Sequence, residues 1–98
     1  MSSYYDIPVI IPAYEPDEKL IALLKDLQQA GILHVVVVDD GSGEQYGTLF
    51  AQAAAIDNCT VLYHAVNLGK GRALKTAFNH CLRAFGRTPG CVPSLFFS

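Results

Sequence analysis

Along the chain, unbroken apolar runs alternate with segments of helical period. "IPVIIPA" (7–13) and "HVVVVDD" (34–40) are apolar throughout, as expected of strands buried on both faces in a parallel sheet. "TVLYHA" (60–65) and "CVPSLFF" (91–97) are two further strand-like runs. Residues 16–31 carry Leu20, Leu23, Leu24 and Leu27 on one stripe. Pro16 suits the first position of that helix, Asp17 and Glu18 its first turn, and Gly31 its C-terminal cap. A shorter helix is expected after Ser42, with Ser42 and Gln45 as a capping box and Tyr46, Leu49, Phe50 and Ala53 as its apolar face. A third runs from about Lys70 to Phe85, with Leu74, Ala77, Phe78, Cys81, Leu82 and Phe85 inward and Gly86 as its stop.

Strand and helix alternate to the end, which predicts an α/β fold: an open, doubly wound, Rossmann-like parallel sheet of about four strands and three helices. With 98 residues there is room for a single domain, covering positions 1–98. In such sheets ligands lie outside the carboxyl ends of the strands. Here those ends read "PAYEP", "DDGSG" and "VNLGKGRA".

Charge and cysteine content narrow the classes. A formal net charge of -2 supplies no basic field for nucleic acid or an anionic membrane surface. Cys59, Cys81 and Cys91 lack the paired spacing of zinc or redox motifs and read as free thiols. "MSSYYDIP" has no signal-peptide character, and no apolar run reaches the roughly 18 residues of a membrane span. A cytoplasmic location is the expectation.

Three motifs carry candidate chemistry. Asp39 and Asp40 follow four valines, and turn chemistry accounts for one aspartate but not for two. Adjacent strand side chains point to opposite faces, so one carboxylate can serve the loops and the other a ligand, accepting from a base imide or a ribose hydroxyl. "NLGKGRA" places glycines around Lys70 at the start of a helix, where backbone N–H groups and cations suit an anion. In "PAYEP", Tyr14 can lie along a flat base and Glu15 can accept from a sugar or base, although both also serve an ordinary turn. His34, His64 and His80 show no ligand spacing and read as structural or surface residues.

Taken in order, "VIIPAYEP", "VVVVDDGS" and "NLGKGRALKTAF" resemble the family 2 glycosyltransferases with the GT-A fold, close to dolichyl-phosphate-mannose-synthase-like members. The likeness runs from about Ile7 to about Phe85. It implies the nucleotide-sugar-binding portion of such an enzyme, with a UDP-sugar favoured. Pro12, Ala13, Tyr14 and Glu15 match the first nucleotide-contacting loop. Asp40 matches the aspartate that meets the uracil base, with Asp39 beside it. Asn67, Gly69 and Lys70 match the loop near the base and diphosphate. The family also implies a divalent metal, Mg or Mn, held by an Asp-x-Asp motif after the fourth strand.

That motif is missing here: no acidic residue follows Asp57, the chain reads "GCVPSLFFS", and Pro93 is foreign to a central strand. A truncation with altered reading frame is the simplest account, and the chain alone is expected to hold no cofactor and to be inactive in sugar transfer. The uncharged tail with Val92, Leu95, Phe96 and Phe97 leads to the expectation of a homodimer. Two other classes compete: a folding fragment or assembly subunit without ligand, and a receiver-like signalling domain, which would carry its acidic pair after the first strand rather than the second.

Overall fold

The computed structural model describes residues 7–86 and 90–91. In chain order it contains β1 (Val9–Ala13), α1 (Lys19–Gln29), β2 (Val35–Asp40), a short 3-10 turn (Glu44–Tyr46), α2 (Gly47–Ala54), β3 (Cys59–His64), α3 (Lys70–Phe85) and β4 (Gly90–Cys91). The strands are parallel, in the order β3-β2-β1-β4. From β1 the chain steps outward to β2 and β3, then returns through α3 to the other side of β1. This is the doubly wound α/β sheet that the alternation of elements predicts.

All six residues of β2 are buried, which is why its sequence is apolar without alternation. Its two faces meet different layers. Val35 and Val37 join Ile11, Leu20, Leu24 and Phe50 beneath α1 and α2. Val36 and Val38 join Ile10, Ala73, Ala77 and Cys81 beneath α3. Pro12 is tolerated inside β1 because backbone direction alternates. The Val9 N–H donates to His34 on the β2 side, so the absent N–H of Pro12 belongs to the other side, beyond the described β4 pairing at Val9 and Ile10.

Gly31 caps α1 as expected. At φ 93° it lets its own N–H reach the Gln28 carbonyl while the Ile32 N–H reaches Leu27, the paired bonds of a left-handed helix stop. The start of α1 lies later than predicted. Pro16, Asp17 and Glu18 precede the helix, and the Asp17 carboxylate accepts from the Lys19 N–H at 3.0 Å. Two further expectations are overturned. The Ser42–Gln45 capping box does not form: Gly43 holds the N-cap position of the 3-10 turn, and the Ser42 hydroxyl accepts from the distant Glu15 N–H instead. On α3, Phe78 and Leu82 are 40% and 45% exposed. The helix instead meets the sheet through the small residues Ala73, Ala77 and Cys81, a seam too narrow to cover its whole apolar stripe. Most of the predicted "CVPSLFF" strand, Pro93 and the apolar tail lie outside the described residues.

Candidate functional site

The sheet's register decides what meets at its carboxyl edge. Ala13 pairs with Asp39, and Asp39 with Tyr63; one step further, Asp40 pairs with His64. Partners in a parallel register share a face, and neighbouring strands lie about 4.8 Å apart. Asp39 therefore falls on the α1/α2 face, following Val35 and Val37, and Asp40 falls on the α3 face with His64 beside it.

Each carboxylate holds a loop. Asp39 Oδ1 accepts from the Ser42 N–H at 2.9 Å, which closes the "DDGS" turn on itself. The Ser42 hydroxyl, buried by that turn, accepts from the Glu15 N–H at 2.8 Å and so ties the β1 loop to the β2 loop. Glu15 sits at φ 51°, in the left-handed region that a side chain other than glycine rarely adopts. Its hydrogen bond to Ser42 holds it there, at the mouth of the site, where such strain is usually found.

Asp40 works on the other side. It is wholly buried, and its Oδ1 accepts from the Leu68 N–H at 3.0 Å and its Oδ2 from the Gly69 N–H at 2.9 Å. His64 Nδ1 also meets Oδ1 at 2.7 Å. A buried carboxylate would be costly without partners, and three donors answer it here. Gly41 brings the two loops into contact. With φ 76°, it lies so close to the backbone of Val66 and Asn67 that a Cβ would collide with both. Gly69, at φ 96°, then turns the chain into α3, and its carbonyl accepts from the Ala73 N–H.

The predicted site residues thus gather at one edge, though with different exposure. Tyr14 is half-buried, Glu15, Asn67 and Lys70 are exposed, and Pro12 and Ala13 are buried beneath them. Both aspartates turn to loops, and Asp39 alone of the pair keeps a little exposure, 8%. Lys70 and Arg72 stand exposed on the first turn of α3, where the helix N-terminus and two cations favour an anion. Sequence reading missed Gly41, Ser42 and His64 as parts of this framework. Gly41 and Ser42 lie within the "DDGSG" motif, whereas the importance of His64 becomes visible only once the β2–β3 register is known.

Among the described residues no group of three His, Cys, Asp or Glu side chains could hold a metal ion. Asp39 and Asp40 diverge to opposite faces and do not form a donor pair for one ion. No described helix is long and apolar enough to cross a membrane.

Comparison with known proteins yields two matches. The sequence profile described as glycosyl transferase family 2 matches residues 9–85. An uncharacterized protein of Methanocaldococcus jannaschii is 32% identical over 77 residues, which cover 79% of this chain and 30% of that protein. The chain thus spans about a third of the length of this relative. No solved structure matches significantly.

Proposed function

The chain belongs to glycosyl transferase family 2, and from that premise we propose that the carboxyl edge of its sheet binds a nucleotide-diphospho-sugar, with a UDP-sugar favoured. The observation that carries this reading is the convergence of three loops on one edge, each held there by an aspartate or by a group that an aspartate holds. Tyr14 offers a face to the base. Asp39, with acceptor capacity and some exposure left, suits the imide N–H, a role that the resemblance implies for Asp40 instead. Asp40, already holding three donors, shapes the pocket through Asn67 to Gly69. Lys70 and the first turn of α3 face the diphosphate. Transfer of the sugar to an acceptor belongs to the full-length family and is proposed for the whole protein, of which this stretch forms the donor-binding part.

Titration calorimetry with UDP, UDP-sugars and GDP-sugars tests the proposal. Saturable binding is expected, stronger for uracil than for guanine nucleotides. Asp39→Asn should weaken it by roughly tenfold, since a hydrogen bond to a charged group contributes about 1.5–3 kcal/mol. Absence of saturable heat with every nucleotide would refute the reading and favour a fragment or assembly subunit without ligand.

A further inference from the structure

We propose that His64 is a positioning residue of the nucleotide site: it clamps the Asp40 carboxylate so that the loop of residues 65–69 keeps its binding shape. This rests on the nucleotide reading above and deepens it, by assigning the loop's order to a side chain outside the motifs that point to the site.

The geometry is specific. A carboxylate that already accepts two backbone N–H groups can only accept again, so His64 Nδ1 carries the hydrogen in the 2.7 Å contact with Asp40 Oδ1. Nε2 then meets the Thr76 hydroxyl at 2.9 Å, accepting from it when the ring is neutral and donating to it when the ring is protonated. Thr76 stands on α3, so the imidazole bridges the end of β2 to the second turn of the helix that the loop enters. His64 itself is the last residue of β3, and Lys70 is the first of α3. The bridge therefore spans the loop from base to base. Without it, Asp40 would keep one backbone donor on each oxygen but lose the side-chain donor that ties its carboxylate to the end of β3 and, through Thr76, to α3. Leu68 and Gly69 would then hang on a carboxylate with no tie to β3 or α3, and Lys70 and the first turn of α3 would lose that fixed relation to the base end.

The side chain's shape allows a discriminating test. Asparagine places its amide N–H where His64 Nδ1 stands and can still reach Asp40. Glutamine places its amide nearer the position of Nε2 and reaches Thr76 instead, while filling more of the imidazole's volume. In the complete chain, amide hydrogen exchange at Leu68 and Gly69 and UDP affinity are measured for the parent, His64→Ala, His64→Gln and His64→Asn. The expected result is faster exchange at both amides and a UDP Kd raised about tenfold in His64→Ala and His64→Gln, with both readouts near the parent in His64→Asn. A role in packing alone would reverse the order of the two amide variants, and that reversal overturns the proposal. So does faster exchange with unchanged UDP affinity, or no change in either readout for His64→Ala. If the parent itself fails to bind UDP, the nucleotide reading falls separately, and the exchange data alone decide whether His64 clamps the loop.

Discussion

On one face of β2 the valines meet large side chains, and Phe50, Leu20, Leu24 and Ile11 fill the space beneath α1 and α2. On the other they meet Ala73, Ala77 and Cys81, and α3 lies against the strand through side chains of a few atoms. The difference continues into the polar ends of the same strand. Asp39, on the first face, holds a turn within its own loop and reaches the β1 loop only through Ser42. Asp40, on the second, is wholly buried and directly holds the backbone of the following crossover and a histidine. One face thus holds the larger buried side chains, and the other holds the more tightly determined half of the site. Small residues on α3 suit that role, because a helix brought close to the strand brings its N-terminal loop within reach of a short aspartate side chain.

The largest separation between the faces should come from Phe50→Ala. It removes a fully buried ring from the heavier face and should cost about 3–5 kcal/mol in chemical denaturation. The loop amides of Leu68 and Gly69 should keep their relative protection if the two faces act independently. A selective loss of protection there would show that the faces are coupled.

Gly41→Ala should come next, at roughly 3 kcal/mol, because the added Cβ meets the Val66–Asn67 backbone and the left-handed φ is strained as well. Unlike Phe50→Ala, this variant should also lose UDP binding, since the β2 and β3–α3 loops can no longer pack. A variant of parent stability that still binds UDP would contradict the close approach.

Ser42→Ala probes the lighter link of the Asp39 side. It leaves the Glu15 N–H without its acceptor in a partly buried position, at a cost of about 1 kcal/mol. Its UDP affinity should fall less than that of Gly41→Ala. An equal fall would place the β1 loop on the same footing as the β3–α3 loop.

The smallest effect near neutral pH concerns the Cys59 thiol, which burial pushes up from 9.0 to about 11. Between those values the folded chain keeps a proton that the unfolded chain has lost, so folding stability from this group is complete below about pH 9 and declines as the pH rises toward about 11. Burial raises the Cys81 thiol as well. Alkylation of Cys59 at pH 8 should therefore be slow and limited by opening of the fold. Rapid alkylation of the native protein would show that the α1/α2 face is looser than its packing implies.

Much of this arrangement was legible in the sequence, and the rest fails for identifiable reasons. The apolar runs of β1 and β2 are visible because both their faces are buried, so no knowledge of partners is needed. The limits of α3 are readable from the Gly69–Lys70 step and from Gly86, where glycine conformation marks both ends. Ser42 reads as a cap in the sequence, yet its hydroxyl belongs to Glu15, 27 positions earlier, and helix-start chemistry describes local partners only. His64 looked unremarkable because its partner Asp40 is set by strand register rather than by spacing. Phe78 and Leu82 obey helical period, yet the seam against the sheet is narrower than the stripe that period describes. Local pattern located the elements, and contacts between distant segments completed the site.

A nucleotide bound at the carboxyl edge of the sheet must perturb the backbone of all three loops that meet there. Backbone amide shifts mapped during a UDP titration should therefore saturate at Tyr14, Glu15, Gly41, Asn67, Gly69 and Lys70, with His34, Asn58 and Phe85 at the opposite edge unmoved. Saturable shifts centred on those opposite-edge residues, or none anywhere at millimolar UDP, would contradict binding at the carboxyl edge.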